Sequence, residues 1–359
     1  MASTDSFDGL EDWGFDSSWR EAFEAIARPG AVPARVVGDG RDAWRVTTGG
    51  GGELLARVPG KFRHEGQPLP VAGDWAAVDA RPAEGSATIH AVLPRRTRLA
   101  RRTAGREARE QVVAANVDTV FVVSALDREL NARRLERWLA LVYDGGASPV
   151  VVLNKSDRLE EGLADLAEVD AVAAGVPVLR VSALTGDGFG DLETQLRPAR
   201  TVALVGSSGV GKSTILNRLL GEERFATKPV REDDDRGRHT TSARRLARLP
   251  GGAILLDTPG LREVGLAGGA DALATVFDDV TELAESCRFR DCRHDTEPGC
   301  AVREAVADGR LAAERFEGFR KLEREAAHEV RKTDALARIE ELKKWKRVFR
   351  EMRRNPKER

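Results

Sequence analysis

Eight consecutive residues near the middle of the chain have the spacing of a phosphate-binding loop. The pattern G-x-x-x-x-G-K-[ST] runs from Gly206 to Ser213, after the apolar run TVALV and before STILNRLL. Glycines let backbone N–H groups wrap phosphate oxygens, Lys212 can reach the β- and γ-phosphates, and the Ser213 hydroxyl can ligate Mg²⁺. The residues predicted to contact a nucleotide here are Gly206, Ser207, Ser208, Gly209, Val210, Gly211, Lys212, Ser213 and Thr214.

A second motif indicates which base is bound. The sequence N-K-S-D follows the apolar run PVVVL, at the position where ligands bind in open α/β sheets. The Asp157 carboxylate can accept from both N1–H and the N2 amino group of guanine, and adenine offers no such pair of donors. The Lys155 stem can cover one face of the base. We therefore predict a guanine site that comprises Asn154, Lys155, Ser156 and Asp157, with Ser182 and Ala183 as an accessory loop.

Two further segments are expected to bind Mg²⁺ and to respond to the γ-phosphate. Asp257 and Gly260 belong to D-T-P-G after AILL, so the carboxylate would hold Mg²⁺ and the glycine would lie near the γ-phosphate. The polar segment KPVREDDDRGRHTT, before that motif, is typical of a mobile switch. Its candidate Mg²⁺-sensing hydroxyl is Thr240 or Thr241, and we favour Thr240.

The residue after Gly260 is Leu261, at the position where Ras-like enzymes carry a water-orienting glutamine. A leucine cannot polarise water, so another group must do so. His239 in the switch segment can form hydrogen bonds and titrates near neutral pH. Two interpretations stay open: His239 positions the attacking water, or it only packs or contacts RNA. The predicted catalytic residues are His239, Lys212 and Thr240.

All three cysteines of the chain lie in the pattern C-x₄-C-x-H-x₅-C. Three thiolates and one imidazole suit a tetrahedral, structural Zn²⁺ site, which needs no open coordination position. Redox-active thiols are the alternative. We predict that Cys287, Cys292, His294 and Cys300 bind one Zn²⁺ and stabilise the local fold.

The pattern of apolar, polar and turn residues predicts the secondary-structure elements that position these residues. Residues 32–95 contain short alternating runs between Gly/Pro turns, which predict a five-stranded barrel of the OB type, with a sandwich as the alternative. Residues 96–265 begin with a basic linker and then alternate apolar strands with helices, which predicts a mainly parallel α/β sheet covered on both faces. Residues 266–359 read as helical and polar, with a basic tail that contains Trp345 and Phe349. Residues 1–31 look like a polar, acidic extension with one short helix, and we assign them no role.

The distribution of charged and apolar residues indicates which partners and which cellular location to expect. Lys+Arg number 57 and Asp+Glu number 58, but basic residues concentrate in 95–109 and in the tail. The basic tail suits RNA, although a solvated or core-docking amphipathic helix is the alternative, and the other block is interpreted as a linker or flexible hinge. No apolar run is long enough for a membrane span, and the N-terminus lacks the features of a signal peptide. We therefore expect a cytoplasmic protein with no membrane partner.

The order of the motifs is unusual, because N-K-x-D and S-A precede the phosphate-binding loop. With this order, with GRHTT and DTPG, and with the cysteine spacing, nearly the whole chain resembles the circularly permuted, small-ribosomal-subunit-dependent GTPases, the RsgA/YjeQ family. His239 and Leu261 match that family's switch histidine and its hydrophobic replacement of glutamine, whereas residues 1–31 lie outside its pattern.

The resemblance implies a multidomain fold: an OB-like barrel, a permuted P-loop GTPase domain and a helical zinc-binding module. It also implies a factor that acts late in assembly of the small (30S) subunit. Nothing in the sequence demands more than a monomer, and we expect one. Such a factor binds 16S rRNA through both flanking modules, and the subunit stimulates its hydrolysis of GTP to GDP. One alternative is an RNA-binding module that nucleotide stabilises and in which hydrolysis is incidental. Another is a P-loop ATPase or kinase, against which the N-K-x-D motif argues.

Overall fold

A computed structural model of the 359-residue chain describes residues 7–40, 42–50, 52–64, 67–102, 110–127, 130–158, 166–223, 244–257, 273, 276–324 and 327. The chain divides into two compact units, Met1–Arg101 with Val112–Gly265, and Arg102–Gln111 with Leu266–Arg359. Several sequence predictions fall outside the described residues, namely those on His239, Thr240, Thr241, Gly260, Leu261, Trp345 and Phe349. Within the described part of the chain, every helix is too short or too polar to span a bilayer.

A closed five-stranded barrel occupies the N-terminal part of the first unit. Its strands are β1 (Val32–Asp39), β2 (Trp44–Thr47), β3 (Glu53–Arg57), β4 (Trp75–Arg81) and β5 (Ser86–Val92), with the short helix α2 (Gly60–His64) after β3. The strands pair in the order β1-β2-β3-β5-β4, and β4 returns to β1, so the pairing closes on itself. Each strand of the barrel therefore pairs with two other barrel strands. The predicted five-stranded barrel is therefore present, and the sandwich alternative is wrong.

The segment before the barrel is packed rather than polar. Helix α1 (Ser17–Glu24) begins at Asp16, whose side chain accepts a hydrogen bond from Trp19 N. Its apolar face covers the fully buried Trp75 of β4, and the Phe15 and Trp75 rings are 4.8 Å apart. The buried apolar side chains of the segment are Leu10, Phe15, Trp19 and Phe23. The predicted short helix is therefore present, but the described residues of this segment form a second small core on the barrel and not a purely polar extension.

A mainly parallel sheet forms the rest of the first unit. Its strands are β8 (Thr119–Ala125), β9 (Ser148–Asn154), β10 (Val178–Arg180), β11 (Thr201–Val205), β12 (Arg245–Arg248) and β13 (Ile254–Asp257). Its helices are α3 (Ala132–Asp144), α4 (Leu166–Val172), α5 (Phe189–Thr194) and α6 (Lys212–Leu220). The strand order is β10-β9-β8-β11-β13-β12, in which only β12 runs antiparallel to its neighbour. Residues of α5 and α6 share one apolar cluster with β8, β9 and β11.

The barrel and the parallel sheet are joined by hydrogen bonds within this unit. Strand β12, which the sequence reading did not anticipate, pairs with β1 at Gly38 and Arg245. Near the middle of β1, the buried Arg35 guanidinium donates to Thr201 Oγ1 at 3.0 Å and to the Asn116 carbonyl at 3.2 Å. The two sheets therefore form one continuous hydrogen-bonded surface.

The predicted basic linker contains two strands. These are β6 (Arg98–Arg102) and β7 (Glu110–Ala115), which pair as a separate two-stranded sheet. Residues 103–109 between them lie outside the described residues. The ends of this segment are thus regular structure, whereas the sequence reading expected a linker.

The described C-terminal part of the second unit, from residue 273 onward, consists of helices and loops. It contains α7 (Asp278–Glu285), α8 (Ala301–Ala307) and a further helix over residues 313–324. Arg315 anchors that last helix, because its guanidinium donates to both carboxylate oxygens of Asp279 at 2.9 and 3.0 Å and lies over the Phe277 ring. The loop between α7 and α8 carries the cysteine cluster.

Candidate functional site

The nucleotide-type motifs converge at one edge of the parallel sheet. Strands β8, β9, β10, β11 and β13 run in the same direction, so their carboxyl ends lie together. The N-K-x-D, S-A, G-x-x-x-x-G-K-S and D-x-x-G sequences each follow one of these ends. The chain runs from β8 outward to β10 and then returns to β11 on the other side of β8. A crevice forms at such a topological switch point, and ligands bind there.

At two positions of the loop from Gly206 to Ser213, the backbone conformation and the surrounding atoms require glycine. Gly206 and Gly211 have φ values of 139° and 96°. A Cβ at Gly206 would collide with the Val123 carbonyl, and one at Gly211 would collide with Nδ2 of Asn154. The strand-to-loop turn and the start of α6 therefore depend on these glycines. The remaining predicted members of the loop, Ser207, Ser208, Gly209 and Val210, lie between them.

The side chain of Lys212 folds back onto the phosphate loop. Its Nζ donates to the carbonyl oxygens of Gly206 and Ser207, at 2.8 and 2.5 Å. These contacts hold the ammonium group against the backbone of the loop that is predicted to bind phosphate. Ser213 and Thr214 follow on the first turn of α6 and are both half-buried.

Asn154 connects two of the motifs. Its Nδ2 donates to the Val210 carbonyl at 2.8 Å, and its Oδ1 accepts from the Ala183 backbone N–H at 2.9 Å. The side chain is buried, with 2% of its surface exposed, and both ends of its amide are paired. A buried amide satisfied in this way holds the phosphate loop and the S-A loop at a constant separation.

Asp157 and Ser182 are also in direct contact. The Ser182 hydroxyl donates to Asp157 Oδ1 at 2.5 Å and accepts from the Thr185 backbone N–H. The Ser156 backbone N–H donates to the Val181 carbonyl at 3.1 Å. The N-K-x-D turn and the accessory loop, which the sequence associated only by position, are therefore hydrogen-bonded to each other.

Lys155 has an ion-pair partner that the sequence reading missed. Its Nζ lies 3.0 Å from Oδ2 of Asp127, which follows β8. The Lys155 backbone has a positive φ of 67°, which turns the chain sharply after β9. Together these contacts place the Lys155 stem along the crevice between β8 and β9.

Arg218 is a second residue that the sequence reading missed. From α6 it donates to the carbonyls of Ala183 and Thr185, at 3.2 Å each, and its guanidinium lies over the Phe189 ring. A Cβ at Gly186 would collide with this guanidinium. Arg218 thus braces the S-A loop from the helix that follows the phosphate loop. Arg218 belongs to no sequence motif, so the sequence alone gave no reason to select it.

Asp257 ends β13, next to the strand that leads into the phosphate loop. The parallel register pairs Ala203 with Leu256, so Asp257 lies level with the last residues of β11. The structure thus brings Asp257 to the same edge as Lys212 and Ser213. Gly260 and the switch residues His239 and Thr240 lie outside the described residues.

The cysteine cluster is compact. The ligand atoms of Cys287, Cys292, His294 and Cys300 all lie within 4.8 Å of one another. The Cys287 and Cys300 sulfurs are 3.9 Å apart, and His294 Nδ1 is 3.6 and 3.3 Å from them. Tetrahedral Zn²⁺ bound at about 2.3 Å to sulfur and about 2.0 Å to nitrogen requires edges of roughly 3.5–3.8 Å. The four donors therefore fit a zinc ion.

The surroundings of two of these thiols shift their pKa values in opposite directions. Burial raises the pKa of Cys287, but hydrogen bonds from the backbone N–H groups of Val302 and Ala301 outweigh it, and the net pKa is lowered. These donors belong to the first turn of α8, where N–H groups are unpaired within the helix. Desolvation and the neighbouring sulfurs raise the pKa of Cys292 to about 11. The backbone donors thus favour the thiolate form of Cys287, which is the form that binds a metal ion.

The sequence matches one family of proteins. Residues 92–267 match the family model described as RsgA GTPase. The small ribosomal subunit biogenesis GTPase RsgA of Opitutus terrae is 46% identical over 352 residues, which cover 95% of this chain and 96% of that protein. The protein of the same name from Streptomyces coelicolor is 44% identical and covers 97% and 95% of the two chains.

Solved structures have the same fold. YjeQ from Thermotoga maritima superposes with a TM-score of 0.62 and 28% identity, over 82% of this chain and 98% of that one. YloQ, described as a circularly permuted GTPase, gives a TM-score of 0.59 at 22% identity and covers 83% and 96% of the two chains. The predicted fold class is confirmed: a barrel, a permuted P-loop domain and a C-terminal module with a Cys₃His cluster that fits zinc.

Proposed function

This chain belongs to the RsgA GTPase family, and we propose that it hydrolyses GTP to GDP and phosphate during late biogenesis of the small ribosomal subunit. The observation that carries the proposal is the pair of hydrogen bonds from Asn154, to Val210 of the phosphate loop and to Ala183 of the accessory loop. They join the phosphate-binding and base-reading parts of one crevice. A guanine nucleotide would bridge these same two parts.

In the proposed site each described residue has a distinct task. Asp157, oriented by Ser182, accepts from the guanine N1–H and N2 amino groups. The Lys155 stem covers the base, and backbone N–H groups from Gly206 to Ser213 surround the phosphates. Lys212 exchanges its loop carbonyls for β- and γ-phosphate oxygens when nucleotide enters.

Mg²⁺ fits the oxygen donors at the carboxyl ends of β11 and β13. The Ser213 hydroxyl and the Asp257 carboxylate would hold it, with Thr240 in the switch segment as a third donor. When bound, the ion neutralises charge on the phosphates. His239 would orient the attacking water, a task that Leu261 cannot perform.

The small (30S) subunit and its 16S rRNA are the proposed partners. The loop between Cys287 and Cys292 exposes Phe289, with the Arg288 guanidinium 5.5 Å from its ring centroid. An exposed aromatic ring beside basic side chains suits base stacking and phosphate contact. Zn²⁺ at the Cys₃His cluster would keep this loop folded. We propose that the protein acts as a cytoplasmic monomer whose hydrolysis rate rises on the subunit.

The decisive experiment is GTP turnover with and without purified small subunits, with large subunits as the control. We expect strong stimulation by small subunits alone and little turnover of ATP. Nucleotide-dependent affinity for the subunit, measured with GDP and with a non-hydrolysable GTP analogue, tests the switch. Tight nucleotide binding without stimulation by either subunit would contradict the proposal. That outcome would favour the RNA-binding module in which hydrolysis is incidental.

His239→Ala tests the proposed water-orienting role. We expect it to lower the stimulated rate by roughly a hundredfold and to leave GTP affinity unchanged. A stimulated rate equal to that of the parent protein would contradict this role. It would favour the alternative that His239 only packs or contacts RNA.

A further inference from the structure

A second cationic side chain contacts the phosphate loop from outside its own motif. Arg134 on α3 donates from Nη1 to Oγ of Ser207 at 3.0 Å. Lys212 Nζ contacts the carbonyl oxygen of that same Ser207. One cation from α6 and another from α3 therefore meet at a single residue of the loop.

The fold explains why Arg134 reaches this place. Strands β8 and β11 are neighbours, with Val122 paired with Val205, so the helix after β8 begins beside the loop after β11. The Asn131 side chain caps α3 and accepts from the Arg134 backbone N–H at 3.0 Å, which fixes the first turn. The apolar face of α3 is buried, as Leu135, Trp138 and Leu139 show. Arg134 lies on the opposite, exposed face, at the topological switch point.

The present partner of Arg134 is a weaker acceptor than a guanidinium can bind. Ser207 Oγ is a neutral acceptor, and a guanidinium forms its best hydrogen bonds with anionic oxygens. A phosphate held by the loop would supply such oxygens within reach of the same side chain. Substrate binding would therefore move Arg134 from the hydroxyl to a phosphate oxygen.

The reaction also creates a need for this charge. A bond forms between the water oxygen and the γ-phosphorus, and the bond from that phosphorus to the β,γ-bridging oxygen breaks. The electron pair of the broken bond leaves on the β-phosphate of GDP, and the protons of the water pass to the released phosphate and to solvent. Negative charge thus grows on the γ- and bridging oxygens, where a guanidinium stabilises it.

We infer that Arg134 is a catalytic arginine supplied in cis, which contacts the γ-phosphate of bound GTP and stabilises the charge that develops during hydrolysis. The inference rests on the proposed placement of the phosphates in the loop from Gly206 to Ser213. It assigns the site a positive group in addition to Lys212, from a different helix.

The test uses the full-length variants Arg134→Ala and Arg134→Lys. The control is Arg133→Ala, which removes the same exposed side chain from the preceding position of α3. Turnover is measured with and without small subunits, and kcat is separated from KM. Affinity is measured for GDP, for a non-hydrolysable GTP analogue, and for GDP with aluminium fluoride, which imitates the transferring phosphoryl group.

For Arg134→Ala we expect kcat to fall by roughly tenfold or more, both with and without subunits. The affinity for GDP with aluminium fluoride should fall in parallel, and the affinity for GDP alone should stay within about twofold of the parent value. Arg134→Lys should recover part of kcat, because it keeps the charge but not the fork of donors. Arg133→Ala should match the parent protein.

Three results would overturn the inference. They are a parent-like kcat in Arg134→Ala, an equal loss in Arg133→Ala, and an equal loss of affinity for GDP and for the aluminium fluoride complex. The last result would mean that Arg134 only shapes the loop. A parent protein that neither binds nor hydrolyses GTP would instead refute the proposed function, so the two failures are distinguishable.

Discussion

The Ser182 hydroxyl donates a 2.5 Å hydrogen bond to Oδ1 of Asp157, although the two residues lie on different loops, after β10 and β9. The same hydroxyl accepts from the Thr185 backbone N–H, so its own direction is constrained. This relationship orients the carboxylate that we propose reads guanine.

Asp157→Asn should change the preferred base. The amide offers one acceptor and one donor in place of two acceptors, so it no longer accepts from both the N1–H and the N2 amino group of guanine. Xanthine carries an oxygen at position 2 and would accept from the amide. We expect the affinity for GDP to fall by about tenfold or more and the affinity for xanthosine diphosphate to rise.

Competition between the two diphosphates for a fluorescent nucleotide measures this switch. Asp191→Asn, an exposed carboxylate on α5, is the matched control and should keep the parent preference. An unchanged ratio of affinities in Asp157→Asn would contradict the assigned base contact.

Arg218→Met should weaken guanine binding without touching the nucleotide directly. The variant keeps a long apolar stem against Phe189 but removes the donors to the Ala183 and Thr185 carbonyls. The accessory loop would lose its brace, and we expect affinity for GDP and GTP to fall equally, by roughly threefold to tenfold.

Equilibrium binding of a fluorescent GDP checks this effect. Arg180→Met, at the exposed end of β10, removes a similar side chain that does not contact the loop carbonyls through a described hydrogen bond. Equal affinities in Arg218→Met and the parent protein would show that the loop needs no brace from α6.

Cys292→Ala should release zinc from the second unit. The remaining Cys287, His294 and Cys300 would leave one of four tetrahedral positions unfilled, and structural zinc sites depend on all four ligands. We expect faster proteolysis around the cluster, with GDP affinity unchanged because the nucleotide residues belong to the first unit.

Metal analysis of the purified protein gives the direct measurement, with one zinc per chain expected in the parent. A strong chelator should reproduce the effect of the substitution in the parent protein. A parent protein that contains no zinc would refute the assignment and favour the redox alternative.

Asp16 should make stability depend on acid pH. The hydrogen bonds and the charge of Arg96 hold the pKa of the Asp16 carboxyl well below its usual range. A carboxyl with a depressed folded pKa stabilises the fold fully above its unfolded pKa, and this stabilisation is lost as pH falls through the folded value. The side chain is 46% exposed, so we expect the pair to contribute only about 0.5–1 kcal/mol.

Asp16→Asn keeps a helix-capping side chain but removes the charge. We expect the variant to be less stable than the parent at pH 7, and the difference to shrink as pH falls below about 4. Urea unfolding at several pH values measures this difference. Asp8→Asn, exposed on the same segment, is the control, and a pH-independent difference in Asp16→Asn would contradict the ion pair.

The sequence alone was informative where chemistry is encoded over short distances. The loop from Gly206 to Ser213 is one turn of backbone, so residue type and spacing specify it almost completely. Cys287 to Cys300 likewise span a single loop, and four donors that are close in sequence are close in space. Short alternating runs between turns were also enough to predict the barrel.

Tertiary structure decided the contacts between distant segments of the chain. Arg134 is 73 residues from Ser207, and Arg35 is 166 residues from Thr201, and neither arginine belongs to a pattern. Their partners follow from the order of strands in the sheet, which local spacing does not specify. Packing of Trp19 against Trp75 likewise depended on which barrel face was left uncovered. The motifs thus specified the residues that can bind or react with a ligand. The strand order determined which distant residues contact them.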